Sequence, residues 1–335
     1  MRLAKFLAIL LVSAPAFGQE YTVRSLPLPH EGSGGIGMDY IAYDPVTNLV
    51  WVPASNTGAV DVIDARTNKI RQIRDFPTTE VQFRNMKRTV GPTSVTIGHG
   101  IVYIGNRADD RICAIDERTL VPKTCGHIDS MPDGLAYVAS TDEVWVTAPR
   151  DKSIRILDAK TLAEKAKLSF DGNPEGFAVD NSRGRFYTNL EDKDRSLAID
   201  LKSHETVATW EPSCGKEGPH GLRVDAKSGF LFVACSAEVE VLDAAHDGKV
   251  LSTVDTGNGV DDIDYSPSAH KLYVGAARAA QLTVARVDDA GKLTIVAQVA
   301  THAGARNGAV TRSGTVYLAH GASELSDLYV ATPKK

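Results

Sequence analysis

The chain is poor in the signatures that announce a chemistry. It has only four cysteines and no Cys-x-x-Cys, and their spacing fits no familiar zinc framework. It lacks the Cys-x-x-Cys-His of covalent haem attachment, the Gly-x-Ser-x-Gly elbow of serine hydrolases and a phosphate-cradling glycine loop. These absences argue against a c-type cytochrome, a serine hydrolase and an NTPase. There is no basic run either, so a phosphate-neutralising nucleic-acid surface is not indicated. No apolar stretch reaches the roughly 20 residues that span a bilayer.

The longest apolar run, "FLAILLV" (6–12), follows Arg2 and Lys5 and precedes the small-residue site "AFG" (16–18). That order is expected of a signal peptide over residues 1–18, with periplasmic or secreted localisation. Its removal takes the net charge from −5 to −7. Residues 19–335 would then form one domain with no transmembrane segment. In an exported chain the four cysteines can pair in three ways. Cys113 and Cys125 flank the hairpin-like "DERTLVPK" (116–123), which leaves Cys214 with Cys235.

What the chain does have is a repeat. Seven segments open alike: "MDYIAYD", "PTSVTIG", "PDGLAYV", "PEGFAVD", "PHGLRVD", "VDDIDYS" and "RNGAVTR". Their second residues are Asp39, Thr93, Asp133, Glu175, His220, Asp261 and Asn307, at intervals of 54, 40, 42, 45, 41 and 46. An aromatic follows each after 10 or 12 positions: Trp51, Tyr103, Trp145, Tyr187, Phe232, Tyr273 and Tyr317. Third strands end on Asp64, Asp116, Asp158, Asp200 and Asp243, placed to accept backbone N–H groups in the next turn. Four short strands every 40–45 residues predict an all-β, seven-bladed propeller with four antiparallel strands per blade. The last copy stops after a third strand near "SDLYVAT", and "YTVRSLPL" (21–28) stands unassigned at the start. That N-terminal strand is expected to complete the last blade and close the ring.

"VYIGN" and "VWVTA" give the chain its resemblance to YVTN-repeat, YncE-like propellers, which implies architecture rather than activity. A weaker resemblance is to regucalcin/gluconolactonase-type propellers, carried by "PEGF" at Glu175 and "RNGA" at Asn307. It implies a divalent metal in the central channel.

In such a fold the first strand of every blade lines the axis, so the seven second residues form a polar ring at one mouth. Their carboxylates suit Ca²⁺ or Mg²⁺, and His220 would also allow Mn²⁺ or Zn²⁺. With neither cation nor bound donors, some carboxylates should hold raised pKa values. The metal candidates are Glu175, Asp261, Asn307 and Asp39, with His220 and Asp133 as acid/base residues. Asp262, Arg150, Arg306 and His320 are candidates for substrate contact. Arg107 and Arg278 share that rim, where arginines would hold a ligand anion or neutralise the acidic channel. The extra segment 78–90 is either a lid or a plain hairpin.

Three functions follow. The first is binding of a small molecule or metal in the channel. The second is a metal-dependent hydrolase of the lactonase type. The third is a scaffold for cell-envelope proteins.

Overall fold

A computed structural model describes residues 19–31, 34–83, 86–321 and 325–334. The expected signal peptide, residues 1–18, lies outside the described residues. Seven four-stranded antiparallel sheets follow one another along the chain. Blade 1 opens with Ala42–Asp44, and blades 2 to 7 open with Pro92–Gly98, Leu135–Val138, Pro174–Asp180, Leu222–Asp225, Val260–Ser266 and Ala305–Val310. The only helices among the described residues are four single 3₁₀ turns, and no helix is long and apolar enough to cross a membrane.

The repeat explains the packing. All seven second-strand aromatics are at most 3% exposed. Each reaches the neighbouring blade, as where Trp145 of blade 3 stacks on Phe186 of blade 4 with ring centroids 4.7 Å apart. Such large buried rings supply much of the apolar area that holds flat sheets face to face. The third-strand aspartates cap their turns: Asp200 Oδ1 accepts the N–H groups of Lys202 and Ser203, both at 2.9 Å. Asp158 does the same for Lys160 and Thr161. Blade 6 lacks an aspartate at that place, and Asp288 serves there instead, accepting from Ala290 and Lys292.

Closure runs as expected. Tyr21–Pro27 pairs antiparallel with Asp327–Pro333, from Tyr21 opposite Pro333 to Pro27 opposite Asp327, and completes blade 7. Both disulfides form as the sequence suggests. Cys113–Cys125 bridges directly opposed residues of adjacent strands, and Cys214–Cys235 joins the end of blade 4 to blade 5. The extra segment is a two-stranded hairpin, Thr79–Phe83 with Met86–Val90, standing between blades 1 and 2.

Blades 1 and 2 share a buried proton at the rim opposite the ring. The single hydroxyl of Thr47 lies 2.5 Å from Asp44 Oδ2 and 2.8 Å from Glu117 Oε1. One hydroxyl hydrogen cannot serve two carboxylates, so one acid must donate to Thr47. Burial, and then the hydrogen bond to Asp44, push Glu117 from 4.5 up to about 7, so Glu117 is the acid that holds the proton more readily. A carboxyl with a raised folded pKa stabilises most below its unfolded pKa and loses that contribution as pH climbs through the folded one. The stability of the wild type is therefore expected to fall between about pH 4.5 and 7, by about 1–2 kcal/mol from this group. E117Q, whose amide can donate to Thr47 at any pH, should flatten that slope in urea titrations. An unchanged slope would contradict the shared proton.

Candidate functional site

The ring residues sit on irregular backbone, and this is what aims them inward. In blade 4, Pro174 pairs with Leu190 and Phe177 with Thr188, so Glu175 and Gly176 together oppose Asn189. Blade 6 repeats this with Asp261 and Asp262, and blade 7 with Arg306 and Asn307. In blades 3 and 5 one residue of the second strand hydrogen bonds to two of the first: Thr147 to Asp133 and Gly134, and Ala234 to His220 and Gly221. Blade 2 has its register shift at Thr93. A bulge of this kind bends the strand and redirects its side chains. Glycine follows the ring residue where blades approach closely: a Cβ on Gly221 would lie 2.7 Å from Asp261 O.

The pairing also corrects the seventh repeat by one residue. Arg306, not Asn307, stands in line with Glu175 and Asp261, and Asn307 matches Asp262. The ring therefore carries a guanidinium at that place. Asn307 ties three blades together instead. Its Oδ1 accepts the Asp262 N–H at 3.0 Å, and its Nδ2 donates to Asp39 Oδ1 at 3.0 Å.

Two arginines thread through the acids. Arg107, from the loop after the second strand of blade 2, donates to Asp39 Oδ2 at 2.9 Å and to Asp133. Arg306 Nε stands 3.0 Å from Asp261 Oδ2, and its Nη2 stands 3.9 Å from Asp39. Glu175 forms neither kind of pair among the described contacts. Burial first, and then the charges of Asp133, Glu191, Asp261 and Asp39, hold its carboxyl well above the usual range. Burial raises Asp133 to about 6 against the pull of Arg107. Burial also raises Asp39, against Arg107 and Arg306. Asp133 Oδ2 and Thr93 Oγ1 are buried without a hydrogen-bond partner. His220 Nδ1 faces Glu191 Oε1 at 3.7 Å, and both remain partly exposed at the mouth.

A second polar layer lies deeper. Arg223 forks onto Asp262, with Nη1–Oδ1 at 3.1 Å and Nη2–Oδ2 at 2.8 Å, and its Nε is 3.4 Å from Asp264. Asp262 thus faces Arg223 rather than the ring. Between the layers Tyr40 of blade 1 meets Phe177 of blade 4 at 5.7 Å between centroids, narrowing the bore from opposite sides. Burial, and then acids of both layers, raise the Tyr40 phenol well above its usual value.

The remaining candidates separate. His320 is 1% exposed, with Nδ1 2.9 Å from Gly321 O and Nε2 2.9 Å from Asp327 O, so it braces blade 7. Arg150 is exposed on the turn Pro149–Asp151 at the rim. For a metal, no three acids of the ring bring ligand atoms within 4.8 Å of one another among the described residues. The trio that does, Cys235, Glu238 and Glu240, includes a sulfur committed to a disulfide. Asp39 and Asp261 have guanidinium groups where a cation would stand, so the implied metal quartet does not fit as assembled.

Arg107 does what the sequence allows for a rim arginine and neutralises channel acids, whereas Glu191, Arg223 and Asp264 escape a search confined to one position per repeat. A signal existed for Glu191: it lies four residues after its blade's aromatic, Tyr187, just as Arg107 follows Tyr103.

No family model matches the chain, and no curated protein matches it. Solved structures do. A streptogramin B lyase is similar at 13% identity and a TM-score of 0.74, over 96% of this chain and 100% of that one. Virginiamycin B lyase from Staphylococcus aureus gives 13% and 0.71, over 93% and 99%. Hydrazine synthase from Kuenenia stuttgartiensis gives 13% and 0.73, over 92% and 97%. Their functions differ, so at this identity the likeness is one of fold: the chain is a seven-bladed β-propeller.

Proposed function

We propose that this protein is a binding protein that takes a small, hydrophilic, positively charged ligand at the ringed mouth of its channel. The observation that carries the reading is Glu175, a half-buried carboxyl among four other acids that forms no ion pair with an arginine among the described residues. Excess negative charge in a low-dielectric mouth is relieved by protons or by a cation, and a ligand bearing N–H donors can replace the protons. The unpartnered Asp133 Oδ2 and Thr93 Oγ1 would accept or donate further hydrogen bonds. Arg107 and Arg306 would hold Asp39 and Asp261 in place. The two disulfides fit an oxidising compartment such as the periplasm or the exterior.

A second reading, hydrolysis of a lactone or ester, draws on the partly exposed His220–Glu191 pair at the same mouth as Glu175, whose carboxyl is held above the usual range, candidates for a base and an acid. It has less support, because three of the four metal ligands it called for are engaged: Asp39 and Asp261 by arginines, and Asn307 by Asp39.

Calorimetry with agmatine, spermidine and arginine, with Ca²⁺, Mg²⁺, Mn²⁺ and Zn²⁺ in parallel, tests the proposal. An organic cation should bind at pH 7.5 and more weakly at pH 5, where it must displace protons from Glu175 and Asp133. E175Q and D133N should each weaken it about tenfold, or 1.4 kcal/mol. Binding indifferent to pH and to E175Q would overturn the reading. One divalent ion bound per chain and lost in E175Q would assign the mouth to a metal.

A further inference from the structure

The opposite mouth of the channel is built differently. Each second-strand aromatic is paired across its blade with one first-strand residue: Ala42, Thr96, Ala136, Ala178, Arg223, Asp264 and Ala309 in blades 1 to 7. All seven of these equivalent positions line two adjoining clefts of about 490 and 440 Å³ that share Arg223 and residues 41–43. Four of the seven are alanine, which leaves the bore wide at this level. The Tyr40–Phe177 contact floors the smaller cleft, which Ile97 and Val179 also wall; Val310 walls the larger cleft beside Asp264, and Tyr43 lines both. This is the make-up of a small-molecule site: apolar walls, an aromatic floor and a few polar groups on one side.

The charge on that side is not balanced. Arg223 spends both terminal nitrogens on Asp262, so its guanidinium is not free to fork onto a ligand anion. Asp264 is left with the side-on Nε contact at 3.4 Å and two backbone donors, Tyr265 N at 2.9 Å and Val310 N at 2.7 Å. One cation is thus shared by two carboxylates. Arg312, at the outer lip of the larger cleft, is solvent-exposed and its charge is screened.

We propose that this mouth is a second binding site, for a small amine with an apolar or aromatic body, its ammonium group set against Asp264 and its body between the alanine layer and the Tyr43 and Phe177 rings. The aromatic faces add a cation–π contribution to the carboxylate's attraction. The site is independent of the ringed mouth, because the Tyr40–Phe177 contact stands between them.

The full-length mature chain is titrated by calorimetry with phenethylamine and tryptamine, and with 3-phenylpropionate and phenethyl alcohol as matched anionic and neutral probes. The amines should bind with one site per chain, the alcohol at least about tenfold more weakly, and the carboxylate not at all. D264N should weaken the amines by at least about tenfold, and A178F, which fills the chamber, should abolish binding. E175Q, across the aromatic floor, should leave amine affinity within about twofold. Thermal unfolding identifies a variant that fails to fold, and A136F then takes the place of A178F, with D264E in place of D264N. Absent amine binding, equal binding of the carboxylate, or loss of binding in E175Q rather than D264N would overturn the proposal.

Discussion

Deleting residues 19–27 is expected to destabilise the protein by more than about 4 kcal/mol, beyond the range of ordinary point substitutions, and to make it aggregate. The strand Tyr21–Pro27 is paired along its whole length to Asp327–Pro333. Without it, blade 7 keeps three strands and exposes a row of unpaired backbone groups, the template on which other chains add. The strand also joins three blades by its side chains. Tyr21 and Val23 pack on the core that includes Tyr273 of blade 6 and Tyr329 of blade 7, while Leu26 packs on the core of blade 1. Urea unfolding of the truncated chain should show a lower midpoint, and a synthetic peptide of residues 19–27 should restore part of it. A truncated monomer within about 0.5 kcal/mol of the intact chain would contradict closure by this strand.

Replacing Arg107 by alanine should cost about 3 kcal/mol at pH 7.5 and less than about 1 kcal/mol at pH 5. Among the described residues, Arg107 is the one group that bonds to Asp39 and Asp133 together. Its loss leaves two poorly solvated carboxylates facing each other, and breaking a buried pair costs more than never having built it. The sign with pH follows from proton linkage. Asp133 already stands at about 6 with Arg107 present, so by pH 5 it is largely protonated and the arginine has less to neutralise. R107K should recover only part of the loss, because one ammonium cannot bridge both acids with the guanidinium's fixed fork. A change below about 0.5 kcal/mol, or one independent of pH, would show that the three side chains are not assembled as described.

The architecture was legible because its causes repeat. A buried aromatic in every second strand and an aspartate after most third strands are demands that each blade makes separately, and each leaves a mark in the sequence. The bulges leave no such mark. They follow from strand pairing, and blade 7 shows the consequence. "RNGA" aligns by eye with "PEGF", placing Asn307 in the ring, yet the bulge and an 11-residue step to Tyr317 put Arg306 there. Arg223 is hidden for another reason. It lies in "PHGLRVD", three residues after His220, where the aligned residue in four blades is alanine and so draws no notice. Charges that reach the axis from a rim loop, such as Arg107 and Glu191, depend on side-chain length and direction, which a repeat alignment does not record. That arginines could neutralise the acidic channel was legible from the rim, but which acid each one meets depends on the blades being set around one axis.

Residues from separate blades meet at that axis. A double-mutant cycle on Arg107 and Asp133, read from urea unfolding at pH 7.5, tests it most directly. The account predicts a coupling above about 1.5 kcal/mol, shrinking at pH 5. Effects that add within about 0.5 kcal/mol would place the two side chains apart and contradict it.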